Sequence, residues 1–127
     1  PFRISNWLLF SLAFLCGITI DVFYDTLGLH ALACTVLAFV RILFISLTVQ
    51  RDGFDNEPEP RLGIMGFRWF LFYTVILAFA HHLVLFTFES FRLYDLGFTI
   101  VRVLLSTLLT SFLILLTEFI FYRRKIR

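Results

Sequence analysis

Charge is scarce in this chain. Charged residues are 16% of the sequence and the net charge is +2, with the 11 Lys and Arg not gathered on any polar domain. A nucleic-acid surface needs a concentrated basic face, so that class of partner is excluded. Cysteine is equally sparse: Cys16 and Cys34 both lie inside apolar blocks, with no CxxC or His-paired spacing. Neither a disulfide framework nor a zinc site follows from them, and both read as small packing residues. No Ser/His/Asp arrangement and no Gly-rich phosphate loop stands out, so nothing specific carries an enzyme reading and no cofactor or metal is implied. No signal-peptide pattern precedes the first apolar block, and the first residue is Pro1 rather than Met. The chain is therefore expected to begin partway through a longer protein.

What fills the sequence instead is apolar. Of 127 residues, 60% are hydrophobic, 18 are Phe, and the mean hydropathy is +0.91. A water-soluble domain of this size leaves too much surface to hide that excess. The apolar residues form four blocks, approximately 7–22, 29–49, 67–88 and 98–122, each bounded by charges or turn residues. Blocks near ~20 residues are what a helix needs to cross a bilayer, and none shows the period-2 alternation of a membrane β-barrel. The expectation is an all-α, polytopic integral membrane protein with four transmembrane helices in one membrane domain, 1–127. The first block is the shortest and needs residues 21–24 as extra length.

Orientation follows from the positive residues, because Lys and Arg set membrane topology while acids contribute little. Placing the tail 123–127, with Arg123, Arg124, Lys125 and Arg127, in the cytoplasm puts Arg3, Arg51, Arg61 and Arg68 on the same side. Only Arg92 is then left in an outer loop. Trp7, Trp69 and Tyr122 fall near the inner interface and Tyr24 and Tyr94 near the outer one, where amphipathic rings are enriched. The cytoplasmic segment 50–66 holds Asp52, Asp55, Glu57 and Glu59 with Pro58 and Pro60, a composition for an extended, solvated loop. It serves either as a docking loop for a basic partner or as a plain linker.

Ionisable residues inside the blocks each ask for a partner or a wet cavity, since a charge at helix centre costs ~2.5–3.5 kcal/mol even on the insertion scale. These are Arg41, His81, His82, Arg102 and Glu118. On the last helix Arg102, Ser106, Thr110, Thr117 and Glu118 form a polar stripe at helical spacing. The third carries Thr74, Ala78, His82 and Glu89, the second Ala31, Cys34, Ala38 and Arg41, the first Ala13, Gly17 and Asp21. Each helix thus has one small or polar face suited to close contact. By depth, Arg41 (~12 Å from the inner end) can reach Glu118 (~6 Å), and Arg102 has Asp21, Glu89 or a His in its band. Snorkelling of Arg102 and Glu118 to the headgroups is the competing reading. A proton or ion path would require His81, His82, Asp21 and Arg102 to line water, and adjacent histidines point ~100° apart on a helix.

The stretch Gly17-Ile18-Thr19-Ile20-Asp21-Val22-Phe23-Tyr24-Asp25-Thr26-Leu27-Gly28-Leu29-His30-Ala31-Leu32 has a physical logic of its own. Gly17 permits close helix approach, Asp21 can cap or pair at the membrane boundary, and Gly28 allows tight re-entry. It also resembles the signature of the bacterial rod shape-determining protein MreD family: a Gly, three apolar positions and an Asp, then a short turn and a Gly followed by Ala and Leu. Gly17, Asp21, Gly28, Ala31 and Leu32 match that pattern; Asp25 and the acidic loop depart from it. The resemblance implies a six-helix bacterial inner-membrane protein of the cell-elongation machinery, lacking here its first two helices, with a cytoplasmic C-terminus. It implies association with MreC and, through MreC, with MreB, RodA and a class B penicillin-binding protein, in a non-catalytic role in peptidoglycan synthesis and rod shape. It also implies a fold similar to the substrate-binding S-component of energy-coupling-factor transporters, so a vitamin-binding transport subunit is the alternative.

Overall fold

The computed structural model describes residues 4–49, 60–90 and 96–125. Among these the chain is all-helical: α1 (Asn6–Tyr24), α2 (Leu29–Thr48), α3 (Leu62–Met65), α4 (Phe67–Ser90) and α5 (Leu96–Lys125). Four of them, α1, α2, α4 and the 96–122 part of α5, are long and apolar enough to cross a membrane. Each extends the expected block at one or both ends or matches it within a residue. The largest difference is at α5, whose 30 residues run about 45 Å and carry the helix backbone into the basic tail. A second difference is α3, a single turn inside the segment 50–66 read as an extended loop. Pro58 and Pro60 lie before it, and Leu62 to Met65 contain no helix breaker other than Gly63. Residues 50–59, and with them the acidic residues of that loop, lie outside the described residues, as do Arg3, Arg92, Tyr94 and Arg127.

The long helices form an antiparallel row. Going outward along α4, its partners on α5 descend: His82 meets Thr110, Glu89 meets Arg102, and Ser90 meets Thr99. On the opposite side Phe44 of α2 packs on Trp69 and Tyr73 near the start of α4. Packing runs α1 on α2, α2 on α4, and α4 on α5, with α3 tucked against the adjoining ends of α4 and α5. Among the described residues, the long helices turn large apolar side chains outward. Leu12, Phe14 and Leu15 on α1 and Leu104, Leu105, Leu108 and Phe112 on α5 are each at least half exposed. Surfaces of this kind suit an apolar medium rather than water.

The buried core is made of small residues. Ala31, Ala33, Cys34 and Ala38 on α2, Thr74 and Ala78 on α4, and Thr99, Val103, Thr107 and Ser111 on α5 are all buried. Small side chains let helix backbones approach closely, which in a lipid solvent replaces the hydrophobic driving force as the basis of helix contact. Phe70 and Leu77 are the large exceptions.

Candidate functional site

Gly17 and Asp21 occupy one face of α1, and both are buried where α1 meets the start of α2. A Cβ on Gly17 would lie 2.4 Å from the Ala31 Cα and 2.6 Å from both the Ala31 nitrogen and the His30 carbonyl oxygen. The two backbones are therefore in direct contact, and only glycine fits. One turn further along α1 is Asp21. Its carboxylate accepts the backbone N–H of His30 at 2.9 Å on Oδ1 and that of Ala31 at 3.0 Å on Oδ2. Gly28 is the N-cap of α2 and has no side chain to bond the open N–H groups of its first turn. His30 and Ala31 hold the second and third helical positions, the ones a capping side chain normally serves. Asp21 thus caps α2 from the neighbouring helix, with its negative charge at the positive end of the α2 dipole.

Two side chains complete the junction. The Thr26 hydroxyl donates to Asp21 Oδ1 at 2.5 Å, and the His30 ring donates from Nδ1 to the same oxygen at 3.0 Å. Holding the proton on Nδ1 leaves Nε2 of a neutral His30 as the acceptor. Three of the four donors converge on Oδ1 and one on Oδ2, and because they come from the turn and from the start of α2, the carboxylate's chemistry here is to lock two helices. The connecting turn is shaped by Asp25, at φ 53° in the left-handed region that Asp tolerates, and by Gly28 at φ 78°. The Asp21 carbonyl receives both the Asp25 and Thr26 N–H groups. Of the five residues that carry the resemblance, Gly17, Asp21, Gly28 and Ala31 meet at this junction, whereas Leu32 points away and is 42% exposed.

The ionisable residues expected within the membrane are dispersed. His82 Nε2 lies 3.0 Å from the Thr110 hydroxyl, joining α4 to α5, and its ring stacks on Phe86. His81 turns the other way, toward the Ala33 carbonyl of α2. Despite the angle between them, both rings line one groove of about 350 Å³ over α4, bounded by Leu37 of α2 on one side and Thr110 and Ile114 of α5 on the other. Arg102 reaches Glu89 at 3.5 Å and lays its guanidinium 4.4 Å above the Phe86 ring. Arg41 and Glu118 are not a pair. Arg41 reaches the Tyr73 hydroxyl on α4, whereas Glu118 on α5 lines a cavity with Arg61 and Tyr122. The reason is the row itself, since α4 stands between α2 and α5 and packs against both.

Several residues at these contacts escaped the sequence reading. Thr26 and His30 sit in the quoted motif without an assigned role, although a polar pair within ten residues of a membrane-boundary Asp is a visible signal. On α5 the buried stripe is Thr99, Val103, Thr107 and Ser111, one position around from the Arg102, Ser106 and Thr110 line, which is half buried. The Phe44, Trp69 and Tyr73 cluster, with Trp69 and Tyr73 stacked at 5.0 Å, was legible only as an interfacial Trp. Among the described residues no group of three or more His, Cys, Asp or Glu is placed to hold a metal ion, and Cys16 and Cys34 are free thiols. Compared with known proteins, the chain matches no family model, no curated protein and no solved structure.

Proposed function

We propose that this chain is a non-catalytic, multi-pass subunit of the bacterial elongation complex in the inner membrane, binding an MreC-like membrane protein. Through that partner it is linked to RodA, a class B penicillin-binding protein and MreB, with its own C-terminus in the cytoplasm. The observation that carries the reading is the junction at Asp21. Gly17, Asp21, Gly28 and Ala31, on which the MreD resemblance rests, act there as one device that fixes the angle between α1 and α2. A second feature supports a binding role. An open row of helices leaves the groove over α4 accessible from the side, and its walls come from three helices. A partner helix can lay a ridge of side chains in it and find His82 and Thr110 as polar anchors. The vitamin-transport alternative calls for an enclosed outward cavity, which suits this sideways groove less well.

Site-specific photocrosslinking tests the proposal. A photoreactive amino acid at Leu37 or Ile114, on the groove walls, is expected to give an adduct with an MreC-like protein in intact cells. The same probe at Phe14 on α1 is expected to give none. Adducts at Phe14 but not at the groove would move the partner to another face, and no adduct with any elongation protein would remove the assignment. A small molecule retained through purification and lost with His82→Leu would favour the transport reading instead.

A further inference from the structure

At the end of the molecule where α3 folds back, Arg61, Gly63, Ile64, Glu118, Phe121 and Tyr122 line a cavity of about 500 Å³. It is held in shape by the fit of α3 on α5: a Cβ on Gly63 would lie 2.7 Å from the Tyr122 ring, so the turn of α3 rests on that ring. Glu118 is the unusual lining residue. It follows the apolar run Leu113 to Leu116 and Thr117 and precedes Phe119 to Tyr122, yet it makes no hydrogen bond or ion pair among the described residues. A carboxylate at the boundary of an apolar helix asks for a cation. The other charge on the lining, Arg61, has the opposite sign.

We propose that this cavity binds the headgroup of a zwitterionic aminophospholipid, of the phosphatidylethanolamine type. The proposal rests on reading the four long helices as bilayer-spanning. Arg61 offers a planar, multi-donor partner for the phosphate, and Glu118 accepts from the primary ammonium. Both charges of the ligand are matched, at the depth where Trp69 and Tyr122 mark an interfacial belt. Positive residues at this end of the sequence draw anionic lipid to the surface in general, but Glu118 would face an anionic headgroup with like charge. A choline headgroup has no N–H to give to a carboxylate. Ile64 and Phe121 supply the apolar surface along which the lipid leaves the site.

The test uses the full chain. Flotation with liposomes comes first, and a chain that stays in the aqueous fraction overturns the bilayer reading and the headgroup site with it. For a chain that floats, native mass spectrometry follows delipidation in detergent and add-back of phosphatidylethanolamine, phosphatidylglycerol or phosphatidylcholine. The expected result is retention of phosphatidylethanolamine above both others. Glu118→Gln should lower that retention about tenfold and raise that of phosphatidylglycerol, while Glu89→Gln, at the opposite end of α4, should change neither. Arg61→Gln should weaken retention of both phospholipids. Equal retention of the three lipids by the unaltered chain, or an unchanged preference in a helical, monodisperse Glu118→Gln protein, overturns the site. Displacement of the lipid by water-soluble phosphoethanolamine at equal concentration would assign the cavity to a soluble zwitterion and overturn the lipid proposal.

Discussion

At Gly17 the neighbour that blocks a side chain is backbone, which cannot swing away, whereas at Gly63 it is the end of the Tyr122 ring, which can. Gly17→Ala should therefore destabilise the chain by ~1–3 kcal/mol, in the range of overpacked cores, and Gly63→Ala by clearly less. Gly28→Ala meets open space but must hold φ +78°, a strain of ~1–2 kcal/mol. Unfolding in a fixed detergent, followed by helicity, ranks the three, and a Gly17→Ala protein as stable as Gly63→Ala would contradict the crossing described above. Asp21→Ala leaves two helix-end N–H groups without their acceptor and should cost ~1–3 kcal/mol or more. Asp21→Asn keeps one acceptor oxygen, so its loss should be smaller. The glycine and aspartate of this junction were legible because their spacing, four apart on one helix face, survives in one dimension. Thr26 and His30 were not, because the direction of a side chain across a turn depends on φ values such as that of Asp25, which composition does not announce.

Between elements, the same blindness appears on α5, and for a helix long and apolar enough to cross a bilayer its cause is the solvent. In water an apolar stripe marks the buried face, but Leu facing lipid and Leu facing protein are equally satisfied, so hydrophobic periodicity cannot choose between them. Polar residues then become the guide, and they point one position off: the guide selects Arg102, Ser106 and Thr110, while Val103, only 1% exposed, sits at the centre of the contact with Thr99, Thr107 and Ser111. Val103→Leu should consequently disturb the α4 and α5 pair by ~1–3 kcal/mol, more than Leu105→Ala on the exposed side. The His82 and Thr110 contact is a different kind of link, a single hydrogen bond between helices. A double-mutant cycle of His82→Leu and Thr110→Val should give a coupling of about 0.6 kcal/mol, and not above ~1.7, the range for interhelical bonds in membranes. A coupling of zero would mean the two side chains do not bond in the folded protein. The extents of the long helices were readable from block length, whereas the one-turn helix α3 was not, since four residues carry no periodicity.

For the molecule as a whole, the row of antiparallel helices fixes which ends share a side, though not which side that is. The starts of α1 and α4 and the ends of α2 and α5 lie together with α3, and the turn from Asp25 to Gly28 lies at the other end. Sequence supplies an expectation for that sign: Arg61 and Arg68 belong to the first end, along with the positive residues of the tail, and the positive-inside bias favours the cytoplasm for such a cluster. Labelling of single cysteines tests that choice. Leu27 in the turn is fully exposed and Ile64 on α3 is half exposed, so either can carry the probe without entering a packed contact. With Cys16 and Cys34 both replaced by Ala, Leu27→Cys should react with a membrane-impermeant maleimide in intact cells, and Ile64→Cys only after the membrane is opened. The reverse pattern would leave every helix contact described above intact, because those depend on relative position alone. It would, however, place Arg61, Glu118 and the α3 cavity on the outer surface and put the basic tail outside against the bias that governs such segments. The proposed subunit needs that tail inside, on the side where MreB lies, so the labelling outcome bears on the function as directly as on the topology.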